Sequence, residues 1–113
     1  MTQLRSRIAR QMPQVAIADV PDESRYVVDV DGRRAGFVTY RLGDGQIALL
    51  HAETEPSMRD QGIASRLIEF TLDDARARGL SVLPYCPFVR YYIDQHDEYL
   101  ALVPLDAQAR FGL

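Results

Sequence analysis

Apolar and polar residues begin to alternate regularly at Arg25, and the period of the pattern changes once along the chain. Tyr26-Val27-Val28-Asp29-Val30 reads as a strand, and Asp31-Gly32 as a two-residue hairpin turn. Ala35 to Leu42 is a second strand, in which Phe37 and Val38 are flanked by Thr39 and Tyr40. Gly43-Asp44-Gly45 turns the chain again, and Gln46 to Thr54 completes an antiparallel meander. After Glu55-Pro56-Ser57 the period becomes helical. Ala64, Leu67, Ile68, Thr71, Leu72 and Ala75 fall on one face, with Arg66, Glu69, Asp73 and Arg76 opposite. Asp74 precedes Arg78 at the favourable i,i+4 spacing, and Gly79 is placed to end the helix. Leu80 to Tyr85 is a short apolar strand suited to burial beside other strands. Pro87 opens a second helix that runs to about His96, and Tyr99 to Val103 predicts a last strand. Met1 to Ser24 is the least legible stretch: Leu4, Ile8 and Met12 recur at helical spacing, but Pro13 and Pro21 interrupt it. The order βββ-α-β-α-(β) predicts an α/β fold around a mixed sheet, with no repeat and no linker.

A chain of 113 residues has room for one hydrophobic core. Its apolar share of 47% and charged share of 26% are those of a soluble globular domain. No apolar run approaches the roughly 20 residues that span a bilayer, and the charged start has no signal-peptide core. The expectation is a cytoplasmic protein that does not engage a membrane. A net charge of -3 argues against a nucleic-acid surface. Arg5, Arg7 and Arg10 form a local basic group, readable as a solvated tail or as a binding arm. Cys86 is the only cysteine, and His51 and His96 are far apart, so neither a disulfide nor a metal site is expected. The chain has no lysine, asparagine or tryptophan.

Arg59-Asp60-Gln61-Gly62-Ile63-Ala64 lies between the third strand and the first long helix. A helix N-terminus presents unpaired N–H groups and the positive end of its dipole, so it can hold a phosphate. Gly62 lets a ligand approach the backbone, and Arg59 could add a charge-assisted contact. The turn is not a nucleotide P-loop, having one glycine and no following Lys-Ser or Lys-Thr. As bare spelling it also reads as an ordinary strand-to-helix turn.

Arg59-x-x-Gly62-x-Ala64 resembles motif A of the GNAT superfamily. The likeness extends to Arg25-Tyr26, Asp31-Gly32, Gly36, Tyr40-Arg41, His51-x-Glu53, Gly62-Ile63-Ala64-Ser65 and Pro84-x-Cys86-Pro87-Phe88-Val89. As a set these motifs are similar to a compact, GNAT-like branch of N-acetyltransferase domains. The resemblance covers residues 25–103, leaving 1–24 as an N-terminal extension and 104–113 as a C-terminal tail. It implies a sheet splayed open between the third strand and the Leu80–Tyr85 strand. Acetyl-CoA or CoA would lie in that cleft, its pantetheine along the third strand and its pyrophosphate on Arg59, Asp60, Gln61, Gly62, Ile63, Ala64 and Ser65. Asp60 departs from the glycine common in this branch, which places a carboxylate near the expected pyrophosphate.

The implied reaction is acetyl transfer to an amine, small molecule or protein, that the sequence does not name. Such a transfer needs a base for the amine and a proton for the departing thiolate. Strand alternation places Ile47, Leu49, His51 and Glu53 on one face, so His51 and Glu53 are the candidate bases. They also read as a hydrogen-bonded histidine and a solvated glutamate. Cys86, expected at the N-cap of the second helix, is a candidate acetyl carrier or thioester contact, or else a small buried apolar residue. By resemblance, Tyr92 rather than Tyr91 would protonate the thiolate; as a residue, Tyr92 also suits packing against the sheet. His96 reads as a capping residue. The alternative to an enzyme is a non-catalytic CoA- or acyl-CoA-binding module. A partner-binding domain that has lost CoA is a third reading, kept open by Asp60. Exposed sheet edges allow a monomer or a homodimer.

Overall fold

Two hairpins with matching turns organise the sheet. The structure is a computed structural model that describes residues 14–113, apart from the side chains of residues 59–61. The predicted Leu4, Ile8 and Met12 stripe and the basic group at Arg5, Arg7 and Arg10 lie outside the described residues. Strands β1 (Val15–Val20), β2 (Arg25–Val30), β3 (Arg33–Gly43) and β4 (Gln46–Thr54) pair in sequence, each antiparallel to the next. Strand β5 (Ser81–Pro84) adds parallel to β4, giving the order β1-β2-β3-β4-β5. Asp31 and Gly32 at the β2–β3 turn have φ of 52° and 81°, and Asp44 and Gly45 at the β3–β4 turn have 50° and 75°. Both central residues in the left-handed region define the turn whose twist suits adjoining strands.

Strand β1 is the element the sequence reading did not resolve. Its alternation is present: Val15 and Ile17 face Val30 and Val28 across the ladder and pack on the core, while Ala16 and Ala18 are exposed. Pro13 and Pro21 obscured the pattern. Pro21 opens a short 3₁₀ turn, Pro21–Glu23, that links β1 to β2 instead of disrupting either strand.

Helix α1 (Ile63–Ala77) lies on one face of the sheet and buries Ile63, Leu67, Ile68, Thr71, Leu72 and Ala75. The predicted face is therefore observed, with Ile63 added and Ala64 only half-buried. Opposite it, Tyr26, Val28, Val38, Tyr40, Ile47, Leu49 and Val82 form the floor of the core. Thr71 is buried without an unmet donor because its hydroxyl donates to the Leu67 carbonyl at 2.9 Å. Gly79 takes φ of 69°, and Leu80 N–H bonds to the Ala75 carbonyl at 2.9 Å, so the helix ends in a Schellman turn.

A polar network pins the C-terminal end of α1 to three strands. Tyr26 donates to Asp74, and Tyr40 donates to Asp19 at 2.7 Å. Arg78 reaches Asp74 at 3.3 Å and Asp19 at 3.4 Å, making the predicted i,i+4 pair part of a larger cluster. Burial, reinforced by Asp19, pushes the Tyr40 hydroxyl up to about 12.

Helix α2 (Pro87–Gln95) follows β5 as predicted, but the strand expected at Tyr99–Val103 is instead a 3₁₀ segment, Asp97–Leu102. Tyr99 is drawn to the helices rather than to the sheet edge. Its hydroxyl donates to Asp73 of α1 at 2.8 Å, and its ring lies under the Arg76 guanidinium. The last ten residues also fold back. A one-turn helix α3 (Leu105–Gln108) and the following 3₁₀ turn bury Ala107 and Phe111 in the core. Phe111 packs edge-on against Tyr85, with ring centroids 5.1 Å apart. Among the described residues, no helix is long and apolar enough to cross a membrane.

Candidate active site

The β4–β5 ladder is short, and its end creates a cleft. The two strands pair from Gln46↔Ser81 to Leu49↔Pro84, and the Cys86 N–H then bonds to the Leu49 carbonyl at 2.9 Å. Beyond that bond the chain turns at Pro87 into α2, while β4 runs on to Thr54. The β4 edge from Ala52 to Thr54 is therefore left without a β5 partner. Ala52, Thr54, Ala64, Ile68 and Phe88 line a narrow apolar gap there. It adjoins a cavity of about 290 Å³ between α1 and α2, where Ala64 and Ser65 face Phe88, Tyr91, Tyr92 and His96.

The N-terminus of α1 borders the same cleft. Gly62 sits at the N-cap with φ of 69° and ψ of 17°, a conformation in which any other residue is strained. Gly62 has no side chain to cap the helix, and no other side chain among the described residues caps it, which leaves first-turn amides to be met by solvent or a ligand. Ile63 is buried, Ala64 half-buried and Ser65 exposed. The backbone of residues 56–61 forms a 3₁₀ turn leading into Gly62. The side chains of Arg59, Asp60 and Gln61 lie outside the described residues.

His51 and Glu53 do form a pair, with Nε2 3.0 Å from Glu53 Oε2, but not on the expected face. Tyr40 pairs with Leu49 while Thr39 pairs with His51, so Leu50 is an extra residue, a β-bulge, on β4. The bulge reverses the alternation. Ile47 and Leu49 point into the core, whereas His51 and Glu53 emerge on the opposite face, each with 62% of its side chain exposed. His51 there packs near Phe37, over which Arg25 lies. A bulge carries no hydrophobic signature of its own, so period-two reasoning could not have found it.

Cys86 occupies the N-cap of α2, as expected, and is 2% exposed. It sits where β4 and β5 separate and belongs to the core cluster. Tyr92 is on the helix side. Its hydroxyl donates to Glu69 of α1 at 3.3 Å, and burial, followed by the Glu69 charge, pushes it up to about 12. The His96 ring stacks on Tyr92 with centroids 3.9 Å apart, and its Nδ1 lies 2.8 Å from the Tyr92 carbonyl. The cleft thus brings together Ala64, Ser65 and Tyr92, with Gly62 at the adjoining helix start; the His51–Glu53 pair lies on the opposite sheet face, and Cys86 is buried where the strands part. Phe88 and Tyr91 line the cleft while 57% and 67% exposed; the sequence had offered Phe88 only within the resemblance motif and Tyr91 only as the lesser alternative to Tyr92, neither as a cleft wall. Their i,i+3 spacing directly after Pro87 was the available signal.

In this α/β domain a parallel strand pair parts beside the N-terminus of α1. A family model described as GCN5-related N-acetyl-transferase matches residues 25–103, and the chain belongs to that family. Membership makes it an acyl-CoA-dependent acetyltransferase. The fold is similar to that of a GCN5-like protein from Staphylococcus aureus, with a TM-score of 0.63 at 21% identity over 82% of this chain and 91% of that one. It is also similar to Ard1 from Thermoplasma volcanium, with a TM-score of 0.54 at 19% identity, covering 85% of this chain and 64% of that one. No curated protein matches the sequence significantly.

Proposed function

We propose that this domain transfers the acetyl group of acetyl-CoA to an amine, holding CoA in the cleft where β4 and β5 part. The observation that carries this is the free β4 edge at Ala52–Thr54, facing α2 and leading to the uncapped start of α1. Both features suit CoA: an unpaired strand edge can hydrogen-bond amide groups of a pantetheine, and helix-terminal amides can hold a pyrophosphate. The anion-binding set is Gly62, Ile63, Ala64 and Ser65, joined by Arg59, Asp60 and Gln61. Phe88 and Tyr91 give the cleft an apolar wall.

Acetyl-CoA supplies an acetyl group activated as a thioester. The acceptor nitrogen must lose a proton, and His51 is the base assigned to take it. With Nε2–H donating to Glu53, the His51 Nδ1 is the nitrogen left to accept. Glu53 fixes the ring and balances the imidazolium that forms. Tyr92 keeps its proton at neutral pH, the form required of a donor to the departing sulfur. Cys86 is the thiol at the strand junction; it either carries the acetyl group transiently or lies against the thioester. A cytoplasmic location belongs to the same proposal.

Intact-protein mass spectrometry after incubation with acetyl-CoA, repeated with Cys86→Ala, tests the reading. The absence of lysine removes the usual sites of stray acetylation. A hydroxylamine-labile gain of one acetyl group, lost in the variant, would establish the acyl-cysteine route. Turnover with an amine but no such gain would assign direct transfer. CoA binding by calorimetry with no turnover on any amine would leave a binding module, and absence of binding would overturn the proposal.

A further inference from the structure

The sheet face turned away from α1 and α2 carries a hollow of about 520 Å³ that the proposed CoA cleft does not use. Its origin is a register row. Arg41, Ala48 and Leu83 stand side by side across β3, β4 and β5, and the short central Ala48 leaves the middle sunken. Leu50, the bulge residue, and Tyr85 close the end nearest the strand junction, while Asp44 lies at the hairpin end. Arg41 is exposed at the rim and joins no ion pair among the described residues. A volume of this size suits a small molecule.

The bulge that forms one wall of this hollow also turns His51 and Glu53 onto the same face. We propose that the hollow is the acceptor site, and that its occupant is a small primary amine with an apolar body and a carboxylate at the far end. This rests on the acetyl-transfer reading and adds the substrate class to it. The carboxylate binds Arg41, the body lies over Ala48 and Leu83, and the amine reaches past Leu50 toward His51. Arg41 and Thr39, the partner of His51, are two residues apart on β3, about 7 Å. A spacing of that order between the two backbone positions calls for a short chain, of roughly four carbons, between carboxylate and amine. In the reaction, the nitrogen lone pair forms the bond to the acetyl carbon as the carbon–sulfur bond breaks. The sulfur keeps the bonding pair, and the nitrogen's proton passes to His51. Acceptor and CoA approach from opposite faces and meet where β4 and β5 part.

The test uses 5-aminopentanoate as probe, with pentylamine and pentanoate as controls, in an NMR titration of the full chain without CoA. Saturable shifts at the Ala48, Leu50 and Leu83 methyls are expected. Affinity should fall at least about tenfold in Arg41→Gln and for pentylamine, which both lose the charged contact. Ala48→Leu, which fills the hollow from the solvent side, should abolish the shifts while leaving calorimetric CoA binding unchanged. No saturable shift in the wild type, equal binding of pentylamine, or no effect of Ala48→Leu would each overturn the acceptor site, whether or not CoA binds. So would concentration-dependent shifts without probe, which would assign the hollow to a second copy of the chain. Loss of CoA binding with the probe still bound would instead remove the acetyl-transfer reading.

Discussion

Gly36→Ala tests the register on which the cleft depends. Gly36 lies opposite Thr54 in the β3–β4 ladder, at the end of the free β4 edge. A Cβ built there would stand 2.6 Å from the Glu53 carbonyl oxygen and 2.8 Å from the Thr54 Cγ2. Ordinary contact begins near 3.4 Å, so the backbone of β4 would have to retreat by about 0.8 Å. The oxygen belongs to the main chain, and no rotamer change can move it. Overpacking of this kind costs about 1–3 kcal/mol, set against about 0.4–1 kcal/mol recovered from a less flexible unfolded chain. The net loss is about 1–2 kcal/mol, or roughly 5–10 °C in Tm for a domain of this size. Gly43→Ala is the control: nothing lies within 4 Å of its Cβ and its backbone is not left-handed, so it should be neutral or slightly stabilising. Urea melts of both variants with unchanged m-values measure the difference. If Gly36→Ala proved as stable as Gly43→Ala, the Gly36–Thr54 pairing would be wrong, and with it the bulge that places His51.

Gly62→Ala should cost about 1 kcal/mol in stability from the forced positive φ. It should also weaken CoA binding by calorimetry well beyond that loss; equal CoA affinity would remove the helix terminus from the site. Alkaline titration probes the polar network. Tyr40 loses its proton near 10 when unfolded and at about 12 when folded, so the folded state holds the extra proton between these values. Stability from this group is complete below pH 10 and falls as pH rises toward 12, by about 1–3 kcal/mol; Tyr26, Tyr92 and Tyr99 are raised as well and add to the fall, so denaturant melts across this window should show a shallower slope in Tyr40→Phe than in the wild type. Phe111→Ala should destabilise the fold by about 2–4 kcal/mol in denaturant melts, since Phe111 is 8% exposed against Tyr85. A change under about 0.5 kcal/mol would show that the C-terminal segment is not part of the core.

The sequence by itself determined the elements whose signals are local. The meander β2–β4 was legible because Asp31-Gly32 and Asp44-Gly45 specify their turns through backbone conformation alone. Helix α1 was legible because its apolar stripe from Leu67 to Ala75 repeats over about two and a half turns, and Gly79 ends it without outside help. The turn that leads into α1 could be located for the same reason: Gly62 needs its left-handed φ whatever surrounds it.

Tertiary structure decided what depends on partners. Tyr99–Val103 has a strand's composition, but Asp73 and Arg76 of α1 hold Tyr99 against the helices, and the segment coils. Phe111 and Ala107 gave no periodic signal, yet they complete the core beside β5. The face of His51 and Glu53 was set by one unpaired residue, Leu50, because a strand's period is two and a single insertion reverses every position beyond it. The candidate residues could be named from the sequence, but which side of the sheet each one faces is decided by pairing between strands.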